Sequence, residues 1–328
     1  MRKRNFFISA AAGLIAVAAA GLTSCDKKVE SRSSEGIATV VCDASFENIL
    51  AQEIDVFEYI YPQASIMPLY TDQNAAIDSL LDFKTKAIVI TRPLTQKEVD
   101  YFKANKKQVR QSQIAVDALA LIVNPANNVE ILSKPEIAEI LSGKITEWNQ
   151  VAPGNNHLGQ IEVVFDHQGS STVQYMRDSL LNGSDFGPNV FAQKSPQAVF
   201  DAVAANKNAI GVIGVSWISR DMSTQELSRE EFVKSIENND TTDIAFDSQI
   251  KVLKVRGNDE VTAYKPYQYY IYEGSYPLYR QIYMITTAPG GSLTHGFYSF
   301  VTGFQGQKIM LTTGVLPKLV QPTMVQIN

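Results

Sequence analysis

Between residues 39 and 105, short apolar runs alternate with segments of helical spacing, and this alternation restricts the chain to an α/β fold. Residues 39–42 (TVVC) form a β-branched run, and Asp43, Ala44 and Ser45 supply turn and capping chemistry after it. Phe46, Ile49, Leu50, Val56, Phe57 and Ile60 then recur at helical spacing, with Glu53 the one polar interruption. Residues 65–70 read as a second strand, followed by 71–74 (TDQN) and a helix through Ile77, Leu80 and Leu81. Residues 86–90 are almost all apolar, as expected of a strand buried on both faces of a parallel sheet. Thr95 and Glu98 make a capping box for a helix over 96–105. Three strand–helix units in succession predict a doubly wound lobe.

The remainder is long enough for a second lobe. Residues 114–123 (IAVDALALIV) predict a long strand with Asp117 in its middle. A carboxylate there is unusual, because burying one without a partner costs several kcal/mol. A helix through Pro135, Ile137, Ile140 and Leu141 ends at Gly143, where glycine favours the C′ position. A strand at 161–165, helices near 172–182 and 196–206, and a strand over 209–217 (AIGVIGVSW) follow. The glycines of that last strand imply close backbone approach. Residues 220–249 are polar and charged and predict a surface excursion. Strands at 250–255 and 276–286 precede closing helices over 291–313. Eight tyrosines between 264 and 283 read as half-buried strand positions.

Arg2, Lys3 and Arg4 precede an apolar stretch over 6–22, which has the position and length of an export signal. Its ending, Leu22-Thr23-Ser24-Cys25, resembles a bacterial lipobox. That resemblance implies a signal peptide over 1–24, lipidation of Cys25 and anchoring to a membrane, with 25–36 as a polar tether. Removing residues 1–24 takes away three of the 29 basic residues and none of the 34 acidic ones, leaving a formal charge of −8. Such a surface argues against nucleic acid as a partner. With Cys25 acylated, Cys42 has no disulfide partner and reads as a small buried apolar residue. His157, His167 and His295 are scattered without metal-ligand spacing, so neither a metal nor a cofactor is expected.

The strand at 161–165 runs through Asp166 and His167 into Gly169, Ser170, Ser171 and Thr172, at the start of a helix. Hydroxyls there can cap orphan N–H groups, and they can also donate to an anion that the helix start attracts. A hydrolase would place a nucleophile in such a turn. However, there is no G-x-S-x-G elbow, and no acid is positioned in sequence to orient His167. A binding protein is therefore expected rather than an enzyme.

Eight blocks occur in a distinctive order: GIATVVCDASF, VITRPLT, IAVDALALIVNPAN, EIAEILSGKITEWNQ, IEVVFDHQGSST, NAIGVIGVSWI, YPLYRQIYMIT and FYSFVTGFQGQKIMLTTGVLP. Across nearly all of the mature chain they resemble the substrate-binding lipoproteins of phosphate-specific ABC transporters, the PstS-like group. The resemblance implies a two-lobed type II periplasmic-binding-protein fold, doubly wound sheets joined by a two-crossing hinge. Residues 37–115 with 287–328 would form one lobe and 116–286 the other. It further implies inorganic phosphate as ligand, an ABC permease as partner, a monomer, and an extracytoplasmic, lipid-anchored location.

By the same resemblance, Ser45 and Phe46 correspond to the first ligand-contacting turn, and Asn74 or a neighbour to the second. Thr91 and Arg92 fall where the family places a Ser followed by Asp or Arg. Ser170, Ser171 and Thr172 fall on a hydroxyl turn of the Gly-Ser-Gly-Thr type. Two departures stand out. Many members carry an Arg where this chain has Asp166, and the middle Gly of the turn is Ser171, which narrows backbone approach. A different oxyanion, or a sensing or scaffolding role, is the alternative these departures leave open.

Arg92 is the one cation that sequence places in the cleft, with a salt bridge on the following helix as its other reading. A carboxylate acceptor would favour phosphate, which keeps a proton at neutral pH, over sulfate, which does not. Asp117, Asp166 and Asp72 are the candidates, and Asp117 is also a candidate for fixing the hinge.

Overall fold

Strand β1 (Gly36–Asp43) lies parallel to β2 (Ala64–Thr71) on one side and to β3 (Ala87–Ile90) on the other. All four residues of β3 are buried, which explains its unbroken apolar run. The computed structural model describes residues 33–151, 158–221, 227–238, 244–258 and 260–320, all within the unit Ser31–Asn328. The expected signal peptide, Cys25, most of the tether and His157 lie outside them, as do parts of the 220–249 excursion.

The remaining sheet strands are β4 (Arg110–Val123), β5 (Glu162–Phe165), β6 (Val190–Ala192), β7 (Ala209–Gly214) and β8 (Tyr279–Thr286). They complete the order β2-β1-β3-β8-β4-β7-β5-β6, with short strands Lys251–Val252 and Leu316–Pro317 also on β4. Strand β4 is the key to the two-lobed architecture. Its residues Arg110 to Ala118 pair antiparallel with β8, and Leu119 to Val123 pair antiparallel with β7. One strand thus belongs to both halves, and β8 returns beside it. The expected two-lobed α/β fold with two crossings is what the chain adopts.

Helices cover the sheet through apolar stripes. Helix α1 (Glu47–Ile60) buries Ile49, Leu50, Ile54, Val56 and Phe57, with Phe57 in edge contact with Phe297 and Phe300 at 5.1 and 5.2 Å. Each such ring contributes about 1.5–3 kcal/mol through burial. Glu53 points into the same core, fully buried, and neither carboxylate oxygen has a hydrogen-bond partner. The expected capping box forms at Thr95 and Glu98. Cys42 is a buried free thiol, and burial pushes its pKa up.

Two local expectations are corrected. The tyrosine-rich region contains a helix, Gln268–Tyr272, where strand positions were expected. Its buried residues Gln268 and Ile271 are three apart, a helical spacing masked by the tyrosines around them. Gln268 Nε2 donates to the carbonyls of Leu311 and Val315, both at 2.8 Å, and pins the turn. The glycine-bearing strand ends at Gly214 rather than running on, and Val215–Trp217 form a 3₁₀ turn. Close approach at its glycines is real: a Cβ on Gly211 would sit 2.8 Å from side-chain atoms of Ile122 and Val199.

Candidate functional site: hydroxyls gathered around a buried arginine

Three segments meet where the two halves face each other. The first is the end of β1. Asp43 is buried, and its Oδ1 accepts from the Ser45 N–H at 2.9 Å, folding Ala44–Phe46 into a 3₁₀ turn ahead of α1. That turn presents the Ser45 hydroxyl and the Phe46 ring, both buried.

The second segment follows β5. Ser170 caps helix α2 (Ser171–Leu180): its Oγ accepts from the Val173 N–H at 3.2 Å and donates to Asp166 Oδ1 at 2.5 Å. Ser171 and Thr172 occupy the first turn with their side chains buried. Their N–H groups have no intrahelical carbonyl to bond, as at any helix start. Here the departure from the family pattern acquires a physical role. Asp166 accepts from Ser170 within its own turn and from Ser45 Oγ at 3.1 Å across the gap. His167 extends the same bridge, with Nε2 2.9 Å from Asp72 Oδ1. Gly169 lets this happen, since a Cβ there would come within 2.6 Å of the Asp72 carboxylate.

The third segment is the pair of crossing strands. Arg280 on β8 lies directly opposite Asp117 on β4 in the sheet register. Both are buried, with Arg280 only 4% exposed. Arg280 Nε donates to Asp117 Oδ2 at 3.0 Å, and Nη2 lies 3.0 Å from the same oxygen without hydrogen-bond alignment. Nη1 donates to Ser171 Oγ at 2.7 Å and to Thr172 Oγ1 at 3.1 Å. The guanidinium also sits over the Phe46 ring, 4.6 Å from its centroid. Gly214 makes room for Asp117: a Cβ there would lie 2.9 Å from Oδ2. Burial raises the pKa of Asp117 and of Asp43, and Arg280 opposes the rise in both.

The cluster therefore gathers Ser45, Phe46, Asp117, Asp166, Ser170, Ser171 and Thr172 around Arg280. The other sequence candidates lie at its edge or outside. Asn74 is exposed, and its neighbour Gln73 is the buried one, accepting through Oε1 from the N–H and hydroxyl of Thr91. Arg92 makes a two-pronged pair with Glu98, both contacts at 2.8 Å, and its hydrogen bonds hold the Glu98 carboxyl down at about 2. Of its two expected roles, the salt bridge is the one the geometry displays. Arg280 is the buried cation that the sequence reading missed. Its signal was a lone charge inside a long apolar strand, the mirror of Asp117, and only the strand register joins the two.

A cavity of about 420 Å³ opens beside this cluster, with Ser171 and Arg280 in its wall. A larger one, about 640 Å³, lies elsewhere, against Phe57, His295 and Phe304, and among the described residues no Asp, Glu, Lys or Arg lines it. Among the described residues there is no cluster of His, Cys, Asp and Glu fit to hold a metal, and no helix long and apolar enough to cross a membrane.

Residues 28–303 match the model of the PBP superfamily domain. The chain belongs to the PBP superfamily. The superfamily's two-lobed fold recurs in solved structures that resemble this one. A putative phosphate ABC transporter substrate-binding protein from Clostridium perfringens, solved with bound phosphate, is 19% identical, with a TM-score of 0.66 over 86% of this chain and 100% of that one. An ABC-type phosphate transport receptor from Vibrio cholerae is 20% identical, with a TM-score of 0.60 over the same shares. Among curated proteins, the phosphate-binding protein PstS of Pseudomonas aeruginosa is 20% identical over 325 residues, covering 95% of this chain and 92% of its own. In this member of the PBP superfamily, the buried cation beside the hydroxyl turn comes from a crossing strand.

Proposed function

We propose that the protein captures inorganic phosphate between the Ser45 turn and the Ser170–Thr172 turn and passes it to an ABC permease outside the cytoplasm. In this reading Cys25 carries the lipid that holds the domain at a membrane. The observation that carries the proposal is Arg280, buried between the halves with Ser171 and Thr172 on its Nη1 and no hydrogen-bond partner on Nη2. A cation so placed, beside hydroxyls and the free N–H groups of a helix start, favours a small anion over water. Each charge-assisted hydrogen bond is worth about 1.5–3 kcal/mol net, so four or five suffice for micromolar affinity, which needs about 8 kcal/mol.

The carboxylates refine the choice of anion. Asp166 is engaged by Ser45 and Ser170, and Asp72 by His167. Asp43 Oδ2 and Asp117 Oδ1 are the buried carboxylate oxygens beside Arg280 that lack a hydrogen-bond partner. Either can accept a hydrogen bond from the P–OH of hydrogen phosphate, whereas sulfate would meet it oxygen against oxygen, at a cost of about 1–3 kcal/mol. The similarity to phosphate-binding relatives supports the same ligand.

Calorimetry on protein stripped of carried-over anion tests the reading. Phosphate and arsenate are expected to bind, with sulfate at least tenfold weaker. Heat from molybdate or sulfate with none from phosphate would assign the site to another oxyanion, and silence from all four would leave a scaffold.

A further inference from the structure

A site reserved for a five-atom anion has no need of the space next to it. Here Ser171 and Arg280 face two ways: toward the Ser45 cluster, and into the cavity of about 420 Å³. That volume falls in the range of pockets for small organic molecules. It persists although the halves already touch across it, with Gln73 Nε2 donating to Gln174 Oε1 at 3.2 Å. The space is therefore not a gap awaiting closure at that point.

Its wall has a definite chemistry. Gln174 and Gln281 each accept through Oε1, from Gln73 at 3.2 Å and from the Tyr283 hydroxyl at 2.6 Å, which leaves their NH₂ groups as the donors these lining residues offer. Tyr175 and Tyr279 add aromatic surface, held together by the Tyr279 N–H donating to the Tyr175 hydroxyl at 3.2 Å. Asp178, whose Oδ1 accepts from Arg177 Nε at 3.4 Å, supplies a carboxylate acceptor through its second oxygen on the same wall. Amide donors, a carboxylate and aromatic faces suit a compound with several hydroxyls and C–H surface. Asp178 works against a second anionic group at that end. The cation in this wall with a second commitment, Arg92, is already held by Glu98.

We infer that the site takes a phosphate monoester of a neutral polyol or sugar, with the phosphoryl group at Arg280 and the hydroxylated part in the adjoining cavity. This inference rests on the anion-binding reading above and extends its ligand from inorganic phosphate to esters that carry the same phosphoryl group. Because an ester keeps fewer phosphoryl oxygens for the protein, its added affinity must come from the cavity wall.

The experiment is calorimetry on the anion-stripped protein with inorganic phosphate, glucose 6-phosphate, glycerol 3-phosphate and fructose 1,6-bisphosphate. At least one monoester is expected to bind tenfold or more tightly than inorganic phosphate, and the bisphosphate more weakly than the better monoester. Gln174→Ala and Asp178→Ala, both outside the phosphoryl cluster, are expected to cost that monoester about tenfold and inorganic phosphate less than twofold. Phosphate binding with both monoesters equal or weaker overturns the ester assignment and leaves the phosphate reading standing. No binding by phosphate or by either monoester removes both. Equal losses for ester and phosphate in the two variants would also overturn it, since they would mark a general structural effect.

Discussion

Arg280 and Asp117 set the energetics of the site at the scale of single residues. A buried ion pair adds little stability of its own, but breaking it leaves one charge uncompensated. Arg280→Met is therefore expected to destabilise the protein by about 3 kcal/mol or more in urea unfolding. The double variant Asp117→Asn with Arg280→Met is expected to regain at least half of that loss while still failing to bind phosphate. If the double variant binds as the parent does, Arg280 serves the fold alone. Ser45→Ala and Thr172→Ala test the hydroxyls: each is expected to weaken phosphate several-fold in calorimetry with the fold intact, and unchanged affinity in both displaces the site. Asn74 and Arg92 show how little separates a site residue from its neighbour. One step along helix Gln73–Leu81 turns a buried amide into an exposed one, and Glu98 within reach takes Arg92 out of play.

Among the elements, helix α1 carries the most informative anomaly. Glu53 is fully buried without a partner for either oxygen, and burial alone raises its pKa well above the ordinary carboxyl value. The folded state thus holds a proton that the unfolded chain releases near pH 4.3. The contribution of Glu53 to stability is full below that pH and falls as pH rises toward the raised folded value, by up to about 1.4 kcal/mol per pH unit. Urea unfolding between pH 4.5 and 7.5 is expected to show this decline, and Glu53→Met to flatten it; a parallel slope in the variant refutes the assignment. Elements governed by local chemistry were legible in the sequence: the all-apolar β3, the Thr95–Glu98 box, the hydroxyl turn and the tight glycines of β7. Those set by distant partners were not. The pairing of residues 117 and 280 depends on an antiparallel register across 163 positions, and helix Gln268–Tyr272 depends on where Gln268 finds the ends of Leu311 and Val315.

The whole molecule turns on β4, whose pairing partner changes between Ala118 and Leu119. The crossing strands place Arg280 and Asp117 at that change, one residue from where the two halves part company. Contacts from one half to the other cluster around it: Ser45 to Asp166 at 3.1 Å, Asp72 to His167 at 2.9 Å, and the Trp217 indole N–H to the Ser45 carbonyl at 2.9 Å. A ligand that bonds both turns and the crossing strand favours the closed arrangement by its differential affinity for it. The most direct measurement is a crystal structure of the protein grown with phosphate after anion stripping. Phosphorus density between Ser45 and Thr172, with an oxygen in hydrogen-bond reach of the Arg280 guanidinium, is the predicted result. Phosphate seated away from Arg280, or a cluster unchanged and anion-free at saturating phosphate, would contradict the account.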